Sequence, residues 1–252
     1  MALYFQSYHD DQAQTLVLLH GAGLSSKQWQ PQIDCLSDFH LLLPDLPEQG
    51  KTGGQFDLVE AAQQVAEMIA AQAHGGKAHV VGLSLGGAVV LDLLRSHPDR
   101  VLTALVTGTS GKLSPLLGQI MIWTADVGRL FSAQWLTNAG IRQFGIEQYR
   151  DLVYDDLLRG TDPGFNQRVA HALMALELPT QTDVLLLVLV GEKETPAAKS
   201  AAKQLFEQIP TASAATVPGV GHVWNLQNPA LFCEVVRLWA ASQQIAEALR
   251  PF

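Results

Sequence analysis

The sequence has little positive charge and few cysteines, and each shortage argues against certain kinds of partner or site. It has 16 Lys and Arg against 24 Asp and Glu, a formal net charge of −8, and no basic run. That balance argues against nucleic acids and anionic membrane surfaces as partners. Its two cysteines, Cys35 and Cys233, are far apart and match no metal or redox spacing. We expect them to be two buried or half-buried thiols.

Long apolar runs are also absent from the 252 residues. The longest apolar run, 184–190, has the length of a strand and is too short to span a membrane. Residues 1–6 lack the basic and apolar regions of a secretory signal, so we expect a cytoplasmic location. Since 48% of the residues are apolar, the chain can bury the core of one large α/β domain, with or without an inserted cap.

Strand-like and helix-like patterns alternate along most of the chain. Apolar strand runs occur at 3–8, 15–19, 41–43, 79–81, 101–106, 184–190 and 214–217. This alternation predicts an α/β fold with a mostly parallel central sheet and helices on both faces. Between residues 112 and 180 only helical patterns occur. We therefore expect residues 1–111 and 181–252 to form the core, and 112–180 to form an all-helical cap.

The predicted cap is rich in large apolar side chains. Eight of them fall close together: Leu116, Leu117, Ile120, Met121, Trp123, Leu130, Phe131 and Trp135. We expect most of these to pack the cap onto the core. The others are expected to line a pocket that suits an uncharged acyl chain or an aromatic ring. Asp126 is a lone acid among them and is expected to face solvent.

The most informative motif is Gly82-Leu83-Ser84-Leu85-Gly86, which lies between a strand pattern and a helical pattern. A strand that turns sharply into a helix strains the residue at the apex, and glycines on either side let neighbouring backbone pass close to it. The apex side chain then stands at the carboxyl end of the sheet, where open α/β folds bind ligands. Ser84 is therefore a candidate nucleophile.

Three further loops with polar residues follow predicted strands, at 20–23, 191–194 and 219–222. In a parallel sheet these loops all lie at the same edge as Ser84. A serine hydroxyl needs an adjacent base, the base needs an orienting acid, and the developing oxyanion needs N–H donors. The four loops offer a candidate for each role, in the chain order Ser, acid, His.

These motifs, together with Pro44-Asp45-Leu46-Pro47 and Asn228-Pro229, resemble the α/β-hydrolase superfamily over nearly the whole chain. The resemblance implies that Ser84 is the nucleophile and His222 the general base. It also implies an oxyanion hole formed by the backbone N–H groups of Ala22 and Leu85. His20 is then expected to brace the oxyanion loop, and the other histidines are interpreted as structural.

The acid is open to more than one interpretation. The family usually places an aspartate three residues after Gly191, and this chain has Glu194 there. Glu192 is a competing neighbour, and a more distant carboxylate, or none, is the third alternative. A second departure is the loop 47–50, Pro-Glu-Gln-Gly, where relatives often have Gly-His-Gly. We expect this loop to alter local shape and not mechanism.

The resemblance implies a cofactor-free serine hydrolase that cleaves small to medium, largely apolar carboxylic esters through an acyl-enzyme. Serine at the apex argues against haloalkane dehalogenases and most epoxide hydrolases of this fold, and Ala88 argues against the menaquinone-pathway lyases. No metal-ligand cluster, phosphate loop or dinucleotide motif is visible, so we expect no cofactor and no metal.

Several activities share the same residues and stay open at this point. They are C–C bond hydrolysis, lactone hydrolysis and cofactor-free perhydrolysis. A protein of another class, which resembles a hydrolase but only binds a small apolar ligand, is a further alternative. The expected partner in each case is a small molecule. The sequence does not indicate an oligomeric state.

Overall fold

The central sheet is mostly parallel and has eight strands within residues 2–252, the part of the chain that the computed structural model describes. The strand order is β1-β3-β2-β4-β5-β6-β7-β8, and only the two edge strands, β1 and β8, are antiparallel to their neighbours. The strands are β1 Phe5–Tyr8, β2 Thr15–Leu19, β3 His40–Pro44, β4 Ala78–Leu83, β5 Val101–Thr107, β6 Leu186–Gly191, β7 Ala212–Val217 and β8 Arg250–Pro251.

Helices cover both faces of this sheet. The core helices are α1 Leu58–Gln72, α2 Leu85–Ser96, α7 Pro196–Gln208, α8 Trp224–Gln227 and α9 Pro229–Ser242. All five residues of β2 are buried because their side chains alternate between two apolar layers. Val17 and Leu19 pack in the layer with α1, α2 and α7, whereas Leu16 and Leu18 pack in the layer with α9. The predicted α/β fold class is confirmed.

Four α-helices, one short 3₁₀ helix (Glu147–Tyr149) and no strand lie between β5 and β6, in the segment that we call the helical insertion (residues 115–175). The α-helices are α3 Pro115–Gly128, α4 Ala133–Phe144, α5 Arg150–Arg159 and α6 Pro163–Ala175. Phe165, Val169 and Leu173 of α6 are buried in the same apolar layer as α1 and α2. Helix α3 packs on α6 at Gly118, where an added Cβ would lie 2.2 Å from Met174 Sδ. The insertion thus contacts this core layer through α6, whereas Ile141 of α4 and Val153 of α5 pack with Leu24, Val223 and Leu226 of the core in a separate apolar cluster.

The prediction that the large apolar side chains of this segment pack onto the core is wrong for seven of the eight. Only Met121 is partly buried against the core. The exposed side chains range from Leu117, Ile120 and Phe131 at 48% to Leu130 at 82%. Helix α3 lies outside α6, so its apolar face is left without cover. Asp126 is exposed as expected, and it accepts a hydrogen bond from Gln167.

Between β2 and β3 the chain forms two short 3₁₀ helices, Ser26–Gln32 and Asp34–Leu36, and no α-helix. Pro31 lies inside the first, and a proline there has no N–H to donate to an α-helical ladder. The second 3₁₀ helix, Asp34–Leu36, lies beside the start of α9, which brings Cys35 next to Cys233.

The structure joins Cys35 and Cys233 in a disulfide, with their Cα atoms 6.1 Å apart. The prediction of two thiols is therefore wrong, although the predicted burial of Cys233 is right. A separation of 198 residues hides this proximity from the sequence. Within residues 2–252, none of the helices combines the length and the apolar character that crossing a membrane requires.

Candidate active site

Ser84 occupies a strained turn between β4 and α2. Its φ of 54° and ψ of −113° are uncommon for any residue other than glycine. A Cβ added to Gly82 would lie 2.4 Å from the carbonyl oxygen of Gly86, and a Cβ added to Gly86 would lie 2.2 Å from the carbonyl oxygen of Leu19. Both distances are shorter than real Cβ contacts, so the turn requires both glycines. Ser84 itself is half-buried at the end of β4.

His222 and Glu194 form a hydrogen-bonded pair. His222 Nδ1 lies 2.9 Å from Glu194 Oε2, and the Glu194 side chain is only 4% exposed. A carboxylate can only accept, so this contact assigns the ring proton to Nδ1 and leaves Nε2 free to take a proton. The other carboxylate oxygen, Oε1, accepts from the Gly191 N–H at 3.3 Å. Both oxygens of Glu194 thus have partners.

Glu192, the competing carboxylate, has different partners. It accepts a hydrogen bond from the Gly219 N–H at 2.7 Å and forms an ion pair with Arg250. The Gly219 hydrogen bond and, after it, the charge of Arg250 lower the pKa of Glu192 below its ordinary value. The structure therefore brings Glu194, and not Glu192, to His222.

Ser84 and His222 converge at the end of β5. The Ser84 N–H donates to the Thr107 carbonyl oxygen at 2.9 Å, and Thr109 Oγ1 donates to the Ser84 carbonyl oxygen at 3.2 Å. Between them lies Gly108, with φ +61°, where an added Cβ would lie 2.8 Å from His222 Cε1. The serine and the histidine thus contact the same short segment, residues 107–109.

The oxyanion loop, residues 20–23, carries the first of the two expected N–H donors. The Gly21 N–H donates to Gln28 Oε1 at 3.2 Å, and the Gly23 N–H donates to Gln49 Oε1 at 2.8 Å. Among the residues that the structure describes, the Ala22 N–H between them has no acceptor. A half-buried donor in that position is available to a ligand oxygen.

Leu85 is the first residue of α2 and supplies the other expected donor. The first N–H groups of an α-helix have no acceptor within the helix, and the partial positive charge of the helix start favours an anion there. The elbow thus presents the Leu85 N–H directly after Ser84.

His20 is fully buried and both of its ring nitrogens are engaged. Its Nδ1 lies 2.9 Å from the Gly21 carbonyl oxygen, and its Nε2 accepts from the Leu46 N–H at 2.9 Å. Burial lowers the pKa of His20 below its ordinary value, which keeps the ring neutral. These contacts join the oxyanion loop to the loop after β3, which is the bracing role expected from the sequence.

Two side chains at the site have no counterpart in the sequence-based prediction. Phe144 at the end of α4 stacks on the His222 ring, with centroids 5.7 Å apart. Gln227 accepts from the Gly221 N–H at 2.7 Å and donates to the Phe144 carbonyl oxygen. Gln227 follows His222 closely in sequence and could have been considered. Phe144 lies on a helix distant in sequence, and no motif marks it.

A cavity of about 160 Å³ lies between the oxyanion loop, the loop after β3 and helices α5 and α6. Its lining is Gly23, Leu24, Glu48, Gln49, Gly50, Asp156, Arg159, Gly160, Asp162 and Phe165. None of the apolar side chains singled out in α3 and α4 lines it, contrary to expectation. Across residues 2–252, no three His, Cys, Asp or Glu side chains form a group suited to a metal ion.

The chain matches the model of the alpha/beta hydrolase family over residues 16–235. It is 25% identical to an AB hydrolase superfamily protein of Gibberella zeae, across 96% of this chain and 86% of the relative. It is 40% identical to a pimeloyl-[acyl-carrier protein] methyl ester esterase of Edwardsiella ictaluri, but that match covers only 43% of this chain and 40% of the relative. The structure superimposes on a thermophilic esterase from Thermogutta terrifontis with a TM-score of 0.77 and 21% identity, covering 94% and 92% of the two chains.

Proposed function

The chain belongs to the alpha/beta hydrolase family, and on that premise we propose that it is a serine hydrolase of carboxylic esters. One observation carries the proposal: Glu194 holds Nδ1 of His222 at the strand end that also contacts Ser84. An acid, an imidazole and an accessible serine in this arrangement are the parts that acyl transfer requires. The esterases among the relatives support the same reaction class.

In the proposed acylation step, Ser84 Oγ attacks the ester carbonyl carbon while His222 Nε2 takes the hydroxyl proton. The carbonyl oxygen becomes an oxyanion, which accepts hydrogen bonds from the N–H groups of Ala22 and Leu85. Glu194 stabilises the imidazolium and keeps its orientation. His222 then returns the proton to the leaving alcohol as the C–O bond breaks, which leaves an acyl group on Ser84.

Deacylation repeats these steps with water in place of the serine. His222 Nε2 takes a proton from water, and the resulting hydroxide attacks the acyl carbon. The same two N–H groups stabilise the second oxyanion, and the proton returns to Ser84 Oγ as the acid leaves. Every step uses residues of this chain, and we propose no cofactor.

We propose that the helical insertion acts as a cap and that the substrate is an uncharged ester of small to medium size. The Phe144 ring stacked on His222 places an apolar surface beside the proposed base, which suits an uncharged substrate. The cavity beneath α5 and α6 is lined by neither Ser84 nor His222, so it lies beside the proposed ester site and does not define the size of the substrate.

The proposal is tested with p-nitrophenyl butyrate and four proteins. Ser84→Ala should lower turnover by roughly 10⁶-fold, and Glu194→Gln by roughly 10⁴-fold, as in other triads. Glu192→Gln is the matched control, because it makes the same change two residues away at a carboxylate that does not contact His222. It should keep activity within a few-fold of the wild type.

Ser84→Ala with most of the wild-type rate would contradict the nucleophile assignment. A loss below tenfold for Glu194→Gln, or an equal loss for Glu192→Gln, would move the acid to another residue. A panel with lactones, a β-diketone and a peracid assay separates the other activities on the same residues. A protein that only binds ligand would turn over none of these compounds.

A further inference from the structure

The oxyanion loop is held by contacts that catalysis by Ser84 does not itself explain. One of them is backbone packed against backbone. An added Cβ on Gly160, at the end of α5, would lie 2.5 Å from Gly23 Cα, and one on Gly23 would lie 3.2 Å from Gly160 Cα. Gly160 has φ −65° and ψ −6°, which any residue adopts. The need for glycine at 160 therefore comes from the contact and not from backbone conformation.

A buried polar contact stands next to this glycine pair. Ser25 Oγ donates to Asp156 Oδ2, and Asp156 also pairs with Arg159. Ser25 and Asp156 are both almost fully buried. Because breaking a buried hydrogen bond to a charged group is costly, the last turn of α5 is fixed on the segment that follows the oxyanion loop.

Gln49 holds the loop from the side of β3. Its Oε1 accepts from the Gly23 N–H at 2.8 Å. Its Nε2 is buried and, among residues 2–252, has no hydrogen-bond partner. A buried amide nitrogen without a partner is unfavourable, so the side chain's structural contribution comes from the bond to Gly23. Gln49 belongs to the loop 47–50, which was expected to affect local shape only.

We propose that Gly160 and Gln49 are positioning residues for the oxyanion hole. Gly23 directly follows Ala22, so these contacts hold the peptide on one side of Ala22, while the Gly21 N–H bond to Gln28 holds the chain on the other side. Together they restrain the direction in which the Ala22 N–H points. The packing of α5 on this loop would thus do more than cover the site, because an effective oxyanion hole would require it. This inference rests on the proposed function, because it assigns the Ala22 N–H to the oxyanion.

Gly160→Ala tests the proposal, with Gly140→Ala as its matched control. Gly140 lies within α4 of the same insertion, and a Cβ there would meet nothing within 4 Å. On p-nitrophenyl butyrate, Gly160→Ala should lower kcat by about 10²-fold with little change in KM, the size of effect expected when one oxyanion donor is lost. Gly140→Ala should leave both constants unchanged.

Two further readouts separate positioning from general damage. The inhibition constant of butaneboronic acid, whose serine adduct is tetrahedral, should rise in Gly160→Ala by the same factor by which kcat/KM falls. Gln49→Met, which removes the acceptor for the Gly23 N–H, should also lower kcat. Gln49→Glu keeps an acceptor oxygen and should restore most of the activity. These Gln49 variants also serve as the test if Gly160→Ala does not fold.

Hydrogen–deuterium exchange distinguishes failure of this inference from failure of the proposed function. In Gly160→Ala, amides of the 20–24 segment should exchange faster than in Gly140→Ala, whether or not any ester is cleaved. A folded Gly160→Ala with wild-type kcat and unchanged exchange would overturn the proposed positioning. If Gly160→Ala exchanged faster but the wild-type protein cleaved no ester, the proposed contact between Gly160 and the loop would be supported and the proposed ester hydrolysis refuted.

Discussion

At the scale of single residues, His79 is a buried titratable group that the proposed reaction does not use. It lies on β4, five residues before Ser84, and its Nδ1 lies 2.8 Å from Thr103 Oγ1. Its Nε2 has no partner in the described part of the chain. Burial lowers the pKa of His79 from 6.5 to about 4, because the apolar surroundings disfavour the charged ring.

This depressed pKa predicts how stability depends on pH. Between pH 6.5 and about 4 the unfolded chain binds a proton at His79 and the folded chain does not. The contribution of His79 to stability is therefore complete above pH 6.5 and is lost as the pH falls through this window. Urea unfolding from pH 7.5 to 4 should show a smaller loss of unfolding free energy for His79→Gln than for the wild type.

His171→Gln serves as the control, because His171 is exposed on α6. It should follow the wild-type pH dependence. If His79→Gln and the wild type lost stability in parallel over this window, burial would not be lowering the pKa of His79.

At the scale of secondary-structure elements, local chemistry made many boundaries predictable. The strand at 15–19 has the bounds expected from the sequence, and α7 and α9 each begin at a proline that follows a capping residue, Thr195 or Asn228. Thr195 Oγ1 accepts from the Ala198 N–H, and Asn228 Oδ1 accepts from the Leu231 N–H. Such caps depend on residues three apart, so the sequence alone contains the information.

The contacts of an element were less predictable than its existence. The apolar pattern of α3 predicts a helix correctly, but it does not say that Leu116 and Trp123 stay exposed at 71% and 63%. That outcome depends on α6 lying between α3 and the core layer. The same limit applies to the site. Motifs indicated Ser84 and His222, whereas the contacts of Gln49 and Gly160 with Gly23 join segments that no local pattern connects.

At the scale of the whole molecule, the Cys35–Cys233 disulfide joins the first third of the chain to the last helix. It spans 198 residues of sequence, including the helical insertion. A crosslink over so long a loop restricts the unfolded chain strongly, by roughly 5 kcal/mol in the chain-entropy model. Disulfides persist mainly in oxidising compartments, so this pairing does not favour the cytoplasmic location expected from the sequence.

Thiol titration tests the pairing. Protein denatured without reductant should show no reactive thiol, and after reduction it should show two per chain. The double variant Cys35→Ser, Cys233→Ser should unfold at a lower denaturant concentration than the oxidised wild type, because its unfolded state is less restricted. Two thiols in the unreduced protein would restore the original prediction of two unpaired cysteines.

The proposed function depends most on Ser84 being an activated nucleophile. The measurement that tests this directly is the intact mass of the folded protein after treatment with a fluorophosphonate, followed by peptide mapping of the adduct. We expect one adduct per chain, located on Ser84, no adduct in Ser84→Ala, and loss of p-nitrophenyl butyrate hydrolysis in step with labelling. Folded protein that carries no adduct at Ser84 while it still cleaves the ester would contradict the proposed function.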